Sequence, residues 1–380
     1  MPALTIIQGG GTVHRDESNR NLQFDRNSLS NYKVVDTGDF IVHLRSFEGG
    51  LEKATCCGLV SPAYHIFRGK NVDSDFYYLY FRSKRFIDAD LKPHVYGIRD
   101  GRSIDIEGMK TIFIPWTNLA EQRRIGAFFD RLDSLITLHQ RKYDKLCVLK
   151  KSMLDKMFPK GGSLYPEIRF AGFTNHWEQR KLEDYVVVST AKNVDGRFNK
   201  EDVLSVSGEY GIVNQIAFQG RSFAGSSVLN YGIVNTGDIV YTKSPLNSNP
   251  YGIIKVNKGI PGIVSTLYAV YRPQDNVHTN FIQVYFEQHE RMNNYMHPLV
   301  NKGAKNDMKV TAENALKGVV TFPSREEQVI ISEFFDRLDS LITLHQRKYC
   351  GVASWMLGVA LVRLGSESGG AFGEMKHVLQ

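Results

Sequence analysis

Apolar residues recur alternately three and four positions apart between residues 119 and 158, which predicts one long amphipathic helix. Pro159 and the glycine pair at 161–162 predict its end. Seven of the nine positions along this seam are apolar or aromatic: Phe129, Leu132, Ile136, His139, Tyr143, Leu146, Lys150, Met153 and Met157. A helix of about 40 residues is roughly 60 Å long and cannot bury such a coiled-coil seam alone, so we expect a partner helix.

The sequence itself supplies that partner. Residues 128–143 recur without a change as residues 334–349, 206 positions later. The second copy carries its own seam residues, namely Phe335, Leu338, Ile342, His345 and Tyr349. An unchanged repeat of this length predicts a chain built as two halves whose long helices pair. A long amphipathic helix within one compact domain is the alternative that the pattern leaves open.

The residues that precede each helix differ between the halves but keep common landmarks. Residues 58–61 correspond to 262–265, and residues 37–39 to 236–238. The spacing between corresponding residues drifts from 199 to 206, as loop insertions between retained elements produce. β-rich runs at 39–44, 60–67, 237–241 and 263–271 alternate with turn residues, and one helical stretch per half is predicted, at 76–88 and 281–296. We therefore expect two domains of mixed strand and helix.

Composition narrows the class of protein. Hydrophobic residues make up 42% of the 380 residues and charged residues 23%, which suits globular domains and suffices for two cores. The formal charge of +7 and the pI near 9.0 are compatible with an acidic partner such as nucleic acid, although many basic proteins bind nothing acidic. The four cysteines have neither disulfide nor metal-site spacing, so a reducing cytoplasm is expected. We recognise no signal peptide, and the 13-residue apolar run at 350–362 is too short to cross a bilayer.

Basic and amide side chains gather in the loops that follow the predicted strands. In the first half they are Arg45, Lys53, Arg99 and Arg102, and in the second half Lys243, Asn247, Lys302, Lys305 and Lys309. The loops at 97–102 and 303–309 correspond to each other, just before the last strand of each half. Such side chains hydrogen-bond to guanine and adenine edges or neutralise phosphates. The sequence therefore predicts DNA-binding loops in both halves, with solvated surface charge as the alternative for any one residue.

The sequence contains none of the common catalytic motifs. We find no Walker phosphate loop, no Gly-x-Ser-x-Gly elbow and no His-Glu-x-x-His pair. His139 and His345 lie on the helix seam, where a histidine more often sets the register than binds a metal. We therefore expect no catalytic residue, no metal site and no cofactor, and recognition is favoured over chemistry.

Several motifs together resemble one known family. They are Glu121-Gln122 followed by the repeated helix, the Leu-Lys-Lys-Ser-Met-Leu-Asp-Lys-Met-Phe-Pro-Lys run at 149–160, and the Pro-Glu-Ile-Arg-Phe run at 166–170 that leads to Trp-Glu-Gln-Arg-Lys-Leu at 177–182. With the two-fold arrangement, the chain resembles the specificity subunit of type I restriction-modification enzymes over nearly all of residues 30–349. The resemblance implies two target-recognition domains, each reading one half of a split double-stranded DNA site.

The resemblance also implies the partners of the chain. The paired helices would act as a ruler between the recognition domains and as the docking surface for two methyltransferase subunits, which recruit the restriction subunits. Helix pairing and docking would fall to Phe129, Leu132, Ile136, Tyr143, Leu146, Phe335, Leu338, Ile342 and Tyr349. Methylation, ATP-driven translocation and cleavage belong to the partners. The chain is thus expected to be a non-catalytic, cytoplasmic subunit with no membrane contact.

The expected fold class is α+β, with two mixed α/β target-recognition domains, each followed by a long helix, and the two helices pairing as an antiparallel coiled coil. The expected segments are recognition domains at 1–117 and 181–325, spacer helices at 118–159 and 326–363, a linker at 160–180 and a tail at 364–380.

Two departures from the family pattern are expected. The first half lacks the opening strand that the second half has, and the second helix diverges from the repeat at Cys350. The alternatives in function are a coiled-coil scaffold protein without sequence-specific DNA binding, and an enzyme with an unrecognised site.

Overall fold

The computed structural model of the chain describes residues 1–17, 30–43, 50–97, 103–225, 227–243, 249–302, 308–365 and 372–374. For 301–302, 308–309, 349–365 and 372–374 the description covers the backbone alone. The chain divides into two compact units: the first comprises residues 1–139 and 348–380, and the second comprises residues 140–347. Each long helix therefore has one part in each unit.

The described strands and helices follow in chain order. The strands are β1 (Leu4–Ile7), β2 (Gly11–His14), β3 (Lys33–Val35), β4 (Phe40–His43), β5 (Glu52–Lys53), β6 (Gly58–Val60), β7 (Tyr64–Phe67), β8 (Val95–Tyr96), β9 (Ser103–Ile104), β10 (Phe113–Pro115), β11 (Glu178–Lys181), β12 (Val186–Val188), β13 (Leu204–Ser207), β14 (Gly211–Asn214), β15 (Gly232–Val234), β16 (Ile239–Tyr241), β17 (Ile254–Val256), β18 (Gly262–Val264), β19 (Ala269–Pro273), β20 (Asn301–Lys302), β21 (Met308–Lys309), β22 (Val319–Phe322) and β23 (Phe372–Glu374). The α-helices are α1 (Ser74–Phe81), α2 (Ile106–Met109), α3 (Leu119–Lys156), α4 (Gln215–Gln219), α5 (Thr279–Glu287), α6 (His289–Met296) and α7 (Arg325–Gly365).

The first unit is built from antiparallel strands around one main helix. Its sheets have the orders β5-β4-β7, β3-β6, β1-β2, β8-β9 and β10-β23. Helix α1 begins where the carboxylate of Asp73 accepts a hydrogen bond from the Phe76 amide, an N-cap that satisfies one free helix donor. Its aromatic residues then fill the core with the sheet, as in the edge-to-face pair of Phe40 and Phe81, whose ring centroids lie 5.0 Å apart.

The second unit repeats this plan with additional strands. Its sheets have the orders β12-β19-β16-β17, β15-β18, β13-β14, β20-β21 and β11-β22. The large buried aromatic residues of its core include Trp177, Tyr241, Tyr271, Phe281 and Phe322. The predicted helical stretch at 281–296 is two helices, α5 and α6, because Gln288 adopts an extended backbone conformation between them.

Arg291 joins α6 to the end of α3 within the second unit. Its guanidinium donates to the carbonyl oxygen of Leu154 at 3.0 Å and lies 4.2 Å from the ring centroid of Phe158. A cation at a helix C-terminus satisfies carbonyl groups that have no partner within the helix. Burial lowers the pKa of Arg291 to about 10. The end of α3 is thus fixed to the globular part of the unit.

The long helices pack together in the second unit, and they run antiparallel there. The ring centroids of Phe158 and Phe335 are 6.3 Å apart, and the Lys150 ammonium lies 2.5 Å from the Asp339 carboxylate. Lys150 of α3 lies opposite Asp339 of α7, and Phe158, just after α3, lies opposite Phe335, which precedes Asp339. The two chain directions are therefore opposite. This packing within a mixed α/β architecture confirms the predicted fold class.

Several predicted elements differ in detail from those observed. The β-rich runs at 60–67 and 263–271 each overlap two strands that a turn separates, at 61–63 and at 265–268. The stretch at 76–88 contains the end of α1 and the start of a separate π-helical segment, Phe86–Leu91. In the first unit β10 pairs with β23, whereas in the second unit the corresponding strand β22 pairs with β11. Residues 372–374 thus take the place in the first unit that β11 has in the second.

Candidate nucleic-acid interface

A turn of the same geometry precedes one central strand in each unit, β4 in the first and β16 in the second, and a candidate loop follows each strand. Gly38 and Gly237 both have a φ of +90°, a conformation that glycine adopts without strain. The next residue closes each turn, since the Asp39 carboxylate accepts from the Asp36 amide at 2.9 Å and the Asp238 carboxylate accepts from the Asn235 amide at 2.7 Å. Burial raises the pKa of Asp238. These turns fix where β4 and β16 begin, and hence where the loops after them start.

The candidate residues of the first unit fall on described and undescribed segments. Lys53 lies on β5, and its ammonium pairs with the Asp75 carboxylate and lies 5.5 Å from the ring centroid of Tyr78. An ammonium held by a carboxylate and an aromatic ring within its own unit is neutralised there, so its charge is less available to DNA. Arg45, Arg99 and Arg102 lie outside the described residues.

Lys243 is the candidate of the second unit whose side chain the structure describes. Its ammonium donates to the carbonyl oxygen of Thr266 at 3.2 Å, and burial lowers its pKa. Its φ of +48° is a left-handed conformation that is uncommon for a residue with a Cβ atom. Lys302 and Lys309 lie on the hairpin strands β20 and β21, and Asn247 and Lys305 lie outside the described residues.

One basic residue at a corresponding place was not among the candidates named from the sequence. Lys33 begins β3, and its ammonium donates to the carbonyl oxygen of Tyr64 at 2.6 Å and to that of Pro62 at 3.4 Å. The aligned landmarks at 58–61 and 262–265 place the same turn in both units, but they do not indicate which lysine reaches it. The pairing of β3 with β6 brings Lys33 there.

Two arginines of the second unit lie over aromatic rings near its surface. Arg221 lies 4.6 Å from the ring centroid of Phe223, and Arg197 lies 5.1 Å from that of Phe198. The buried side chain of Asn193 fixes the loop that contains Arg197 and Phe198, since it donates to the carbonyl of Phe198 and accepts from the amide of the same residue. Arg197 also lies 4.0 Å from the Asp195 carboxylate, which partly neutralises it. No ion pair of Arg221 is found among the described residues, so its cation–π contact orders a guanidinium that stays available to phosphates.

The residues predicted for the helix seam differ in burial along the helices. Phe335 and Leu338 are buried, and Leu146 packs against the same core. Phe129, Leu132, Ile136, Tyr143 and Ile342 are half-buried, and the side chain of Tyr349 is outside the described set.

Four leucines of the repeat lie outside the seam and are exposed. Leu135 and Leu138 in the first unit are both 46% exposed, and the corresponding Leu341 and Leu344 in the second are 43% and 44% exposed. The same apolar side chains are therefore presented to solvent on both helices, and the same is true of the neighbouring Arg131 and Arg337.

A cavity of about 1020 Å³ lies in the second unit beside Lys255 of β17. Lys255 is 8% exposed, and no hydrogen bond or ion pair to its ammonium is found among the described residues. The corresponding residue of the first unit is Glu52, which accepts from the Gly9 amide and from the Arg82 guanidinium, both at 2.8 Å. At this place the first unit has an ion pair between Glu52 and Arg82, whereas the second unit has a buried lysine beside a cavity.

Neither a metal site nor a membrane span is found in the part of the chain that the structure describes. No group of three or more His, Cys, Asp and Glu side chains there could hold a metal ion. No helix there is long and apolar enough to cross a membrane.

Comparisons with known proteins identify the fold through solved structures. No model of a known protein family matches the chain, and no curated protein matches it. The chain is similar to the type I restriction-modification S subunit from M. genitalium, with 13% identity over 85% of this chain and 82% of that chain and a TM-score of 0.52. At this identity the likeness shows the fold alone. The chain has the fold of a type I S subunit.

Two further solved structures match with lower TM-scores. The HsdS subunit from Thermoanaerobacter tengcongensis is 17% identical over 88% of this chain and 79% of that chain, with a TM-score of 0.41. A chain from a study of complex assembly and conformational transition of the type I R-M system is 16% identical over 90% of this chain and 82% of that chain, with a TM-score of 0.42.

Proposed function

We propose that this chain is the non-catalytic DNA sequence-recognition subunit of a type I restriction-modification complex. One observation carries the proposal: the two units repeat the same strand plan with different loop residues, whereas the helices repeat 16 residues without a change. Diverged loops suit two different half-sites, and identical helices suit one kind of partner bound twice. The S-subunit fold supports the same assignment.

The globular parts of the units contact double-stranded DNA in this proposal. Their candidate contacts are the basic side chains after β4 and β16 and in the loops at 97–102 and 303–309. Arg and Lys side chains there neutralise phosphates and read base edges in the grooves. Each unit reads one half of a bipartite site, and the subunit acts in the cytoplasm with no cofactor of its own.

The long helices dock two methyltransferase subunits, and restriction subunits join through these. Seam packing constrains buried residues, but it does not constrain exposed ones. Leu135, Leu138, Leu341 and Leu344 are nevertheless identical pairs of exposed residues. Their identity supports one methyltransferase subunit on each helix, bound through this apolar pair while the half-buried seam residues pair the helices.

The proposal is tested on the chain co-expressed with a type I methyltransferase subunit. Selection from a randomised duplex pool should return a split site with two defined halves. Replacing residues 181–325 with another recognition domain should change one half of that site and leave the other intact. A complex that binds DNA without sequence preference, or a chain that assembles proteins and never binds DNA, would support the scaffold alternative instead.

A further inference from the structure

Lys33 and Lys243 bind the same turn in their respective units, although they approach it from different strands. The turn joins β6 to β7 in the first unit and β18 to β19 in the second. The Tyr64 amide donates to the carbonyl of Ser61 at 3.1 Å, and the Tyr268 amide donates to that of Ser265 at 3.0 Å. The two turns therefore have the same backbone hydrogen bond.

The two lysines share one acceptor position. Lys33 donates to the carbonyl of Tyr64 at 2.6 Å and, more weakly, to that of Pro62 at 3.4 Å, and Lys243 donates to that of Thr266 at 3.2 Å. Pro62 and Thr266 are the second residues of their turns. Lys33 reaches this position from the start of β3, beside Val60, whereas Lys243 reaches it from two residues beyond the end of β16. Two unrelated chain positions thus supply one ammonium each to one structural position. The aligned sequence does not require this coincidence.

A purely structural tether explains this arrangement poorly. A turn closed by its own backbone hydrogen bond does not need a lysine, and Lys243 has an uncommon left-handed φ of +48°. An ammonium has three donors. The contact with Thr266 uses one donor of Lys243, and the contacts with Tyr64 and Pro62 use two donors of Lys33, so each ammonium keeps at least one donor for a ligand. Across the described ranges neither ammonium forms an ion pair with a carboxylate.

The surroundings of both turns are open to a large ligand. Pro62 and Thr266 are exposed, and Leu267 is 65% exposed. His43, the last described residue of β4, pairs with Tyr64, and the candidate loop residues at 44–49 and 244–248 follow His43 and Lys243 in the sequence. A lysine on an exposed turn acts as a point charge, which suits a phosphate rather than the planar recognition of a base.

We infer that Lys33 and Lys243 are matched phosphate-contacting lysines, one in each unit, each held on its turn to set the position of its unit on the DNA backbone. The inference rests on the proposed function and adds to it a residue, Lys33, and a role. The tethered lysine neutralises one phosphate and leaves base reading to the loops. Each contact therefore contributes to affinity on any duplex and not to the choice of sequence.

The test measures salt dependence in the complex of the full chain with its methyltransferase subunits, on a fluorescent duplex of mixed sequence. Lys33→Met and Lys243→Met keep the aliphatic stem and remove the charge. Each should reduce the steepness of log affinity against log salt by about 0.9, and the double variant by about 1.8. Lys33→Arg and Lys243→Arg should restore the parent slope. Lys84→Met and Lys317→Met, which remove exposed lysines elsewhere in each unit, should leave it unchanged.

The outcomes separate the inference from the function on which it rests. Unchanged slopes in both Met variants, with a parent complex that binds DNA, overturn the inference and leave the function standing. An equal change in the control variants also overturns it, because the effect is then one of total charge. A parent complex that does not bind DNA overturns both. Thermal unfolding of each variant should match the parent, since a slope change that accompanies loss of folding would mean that the lysines only tether the turns.

Discussion

The buried side chains of Gln122 and Gln328 make the same pair of hydrogen bonds, each in its own unit. The Gln122 side chain accepts from the amide of Asp73 at 2.9 Å and donates to the carbonyl of Thr117 at 2.7 Å. The Gln328 side chain accepts from the amide of His278 at 2.9 Å and donates to the carbonyl of Pro323 at 3.0 Å. Each glutamine thereby joins the start of a long helix to the start of the main helix of its globular part.

We expect Gln122→Ala and Gln328→Ala each to destabilise the unit that contains it. Each change leaves a backbone amide and a carbonyl at a partly or fully buried place without this partner, at a cost of up to about 1–3 kcal/mol per group. Urea unfolding followed by tryptophan fluorescence and circular dichroism measures the loss. Gln219→Ala, at an exposed position of α4, is the control and should change stability by less than about 0.5 kcal/mol. Losses no larger than that of the control in both variants would contradict this role.

A second prediction concerns an ion pair that the repeat does not preserve. Arg169 and Glu327 form two hydrogen bonds of 2.7 Å, and the Glu327 side chain is 1% exposed. Glu327→Ala should cost about 3–5 kcal/mol because it leaves the guanidinium without its charge partner. The matched control is Glu121→Ala, 206 positions earlier, where the glutamate is exposed and bonds to the hydroxyl of Thr117. Equal losses of unfolding free energy in the two variants would show that the buried ion pair contributes no more to stability than the exposed hydrogen bond of Glu121.

The helix seam and the end of α3 could be predicted from the sequence, because both depend on residues that are close together along the chain. Phe335 and Leu338 fall on a seam spaced by three and four residues, and both are buried in the core. Helical periodicity places them on the seam, but the identical residues Phe129 and Leu132 on α3 are half-buried, so how deeply a seam residue is buried depends on the packing of its unit. Pro159 likewise marks the end of α3 from local backbone chemistry.

The less predictable part depends on residues that are distant in the sequence. Lys53 was a DNA-binding candidate, but its ammonium pairs with Asp75 on α1, a contact that only the packing of α1 on β5 creates. Lys33 was missed for the same reason, since its turn is reached through the pairing of β3 with β6. Composition and spacing identify basic loops, but they cannot tell a charge neutralised within the unit from one left free.

The charge reversal beside the cavity leads to a third prediction. Lys255 is buried near Lys150, Lys258, Glu287 and Asp339, and burial outweighs the carboxylates in lowering its pKa. The protonated form is therefore penalised in the folded state. Unfolded chains bind more protons between the lowered pKa and the ordinary value of about 10.4, so stability rises with pH across that interval.

Lys255→Met should accordingly raise the unfolding temperature at pH 7, by about 2–4 °C for each kcal/mol of penalty removed. The gain should shrink as the pH rises towards the ordinary lysine pKa, because the parent then loses the proton in both states. Differential scanning calorimetry of the parent and the variant, at pH 7 and at a pH near the ordinary lysine pKa, measures the difference in unfolding temperature. A lower unfolding temperature at pH 7 would mean instead that the ammonium stabilises the fold through Glu287 and Asp339.

The last prediction separates docking from helix pairing. Leu341→Asp with Leu344→Asp should remove one methyltransferase subunit without lowering the unfolding temperature, because both side chains are exposed and belong to no core cluster of the described residues. Leu135→Asp with Leu138→Asp should remove the other subunit. Native mass spectrometry should then count two methyltransferase subunits on the parent and one on either double variant. It should count none on the variant that carries all four changes.

Two further variants decide how that result is interpreted. Val148→Asp introduces the same charge at an apolar residue of α3 that is 70% exposed and lies outside the repeat, and it should retain both methyltransferase subunits. Leu338→Asp buries a charge in the core, so it should lower the unfolding temperature before it affects docking. Two subunits retained by the variant that carries all four leucine changes would show that the exposed leucines do not form the docking surface. The partner would then contact the half-buried seam residues, and docking would compete with helix pairing.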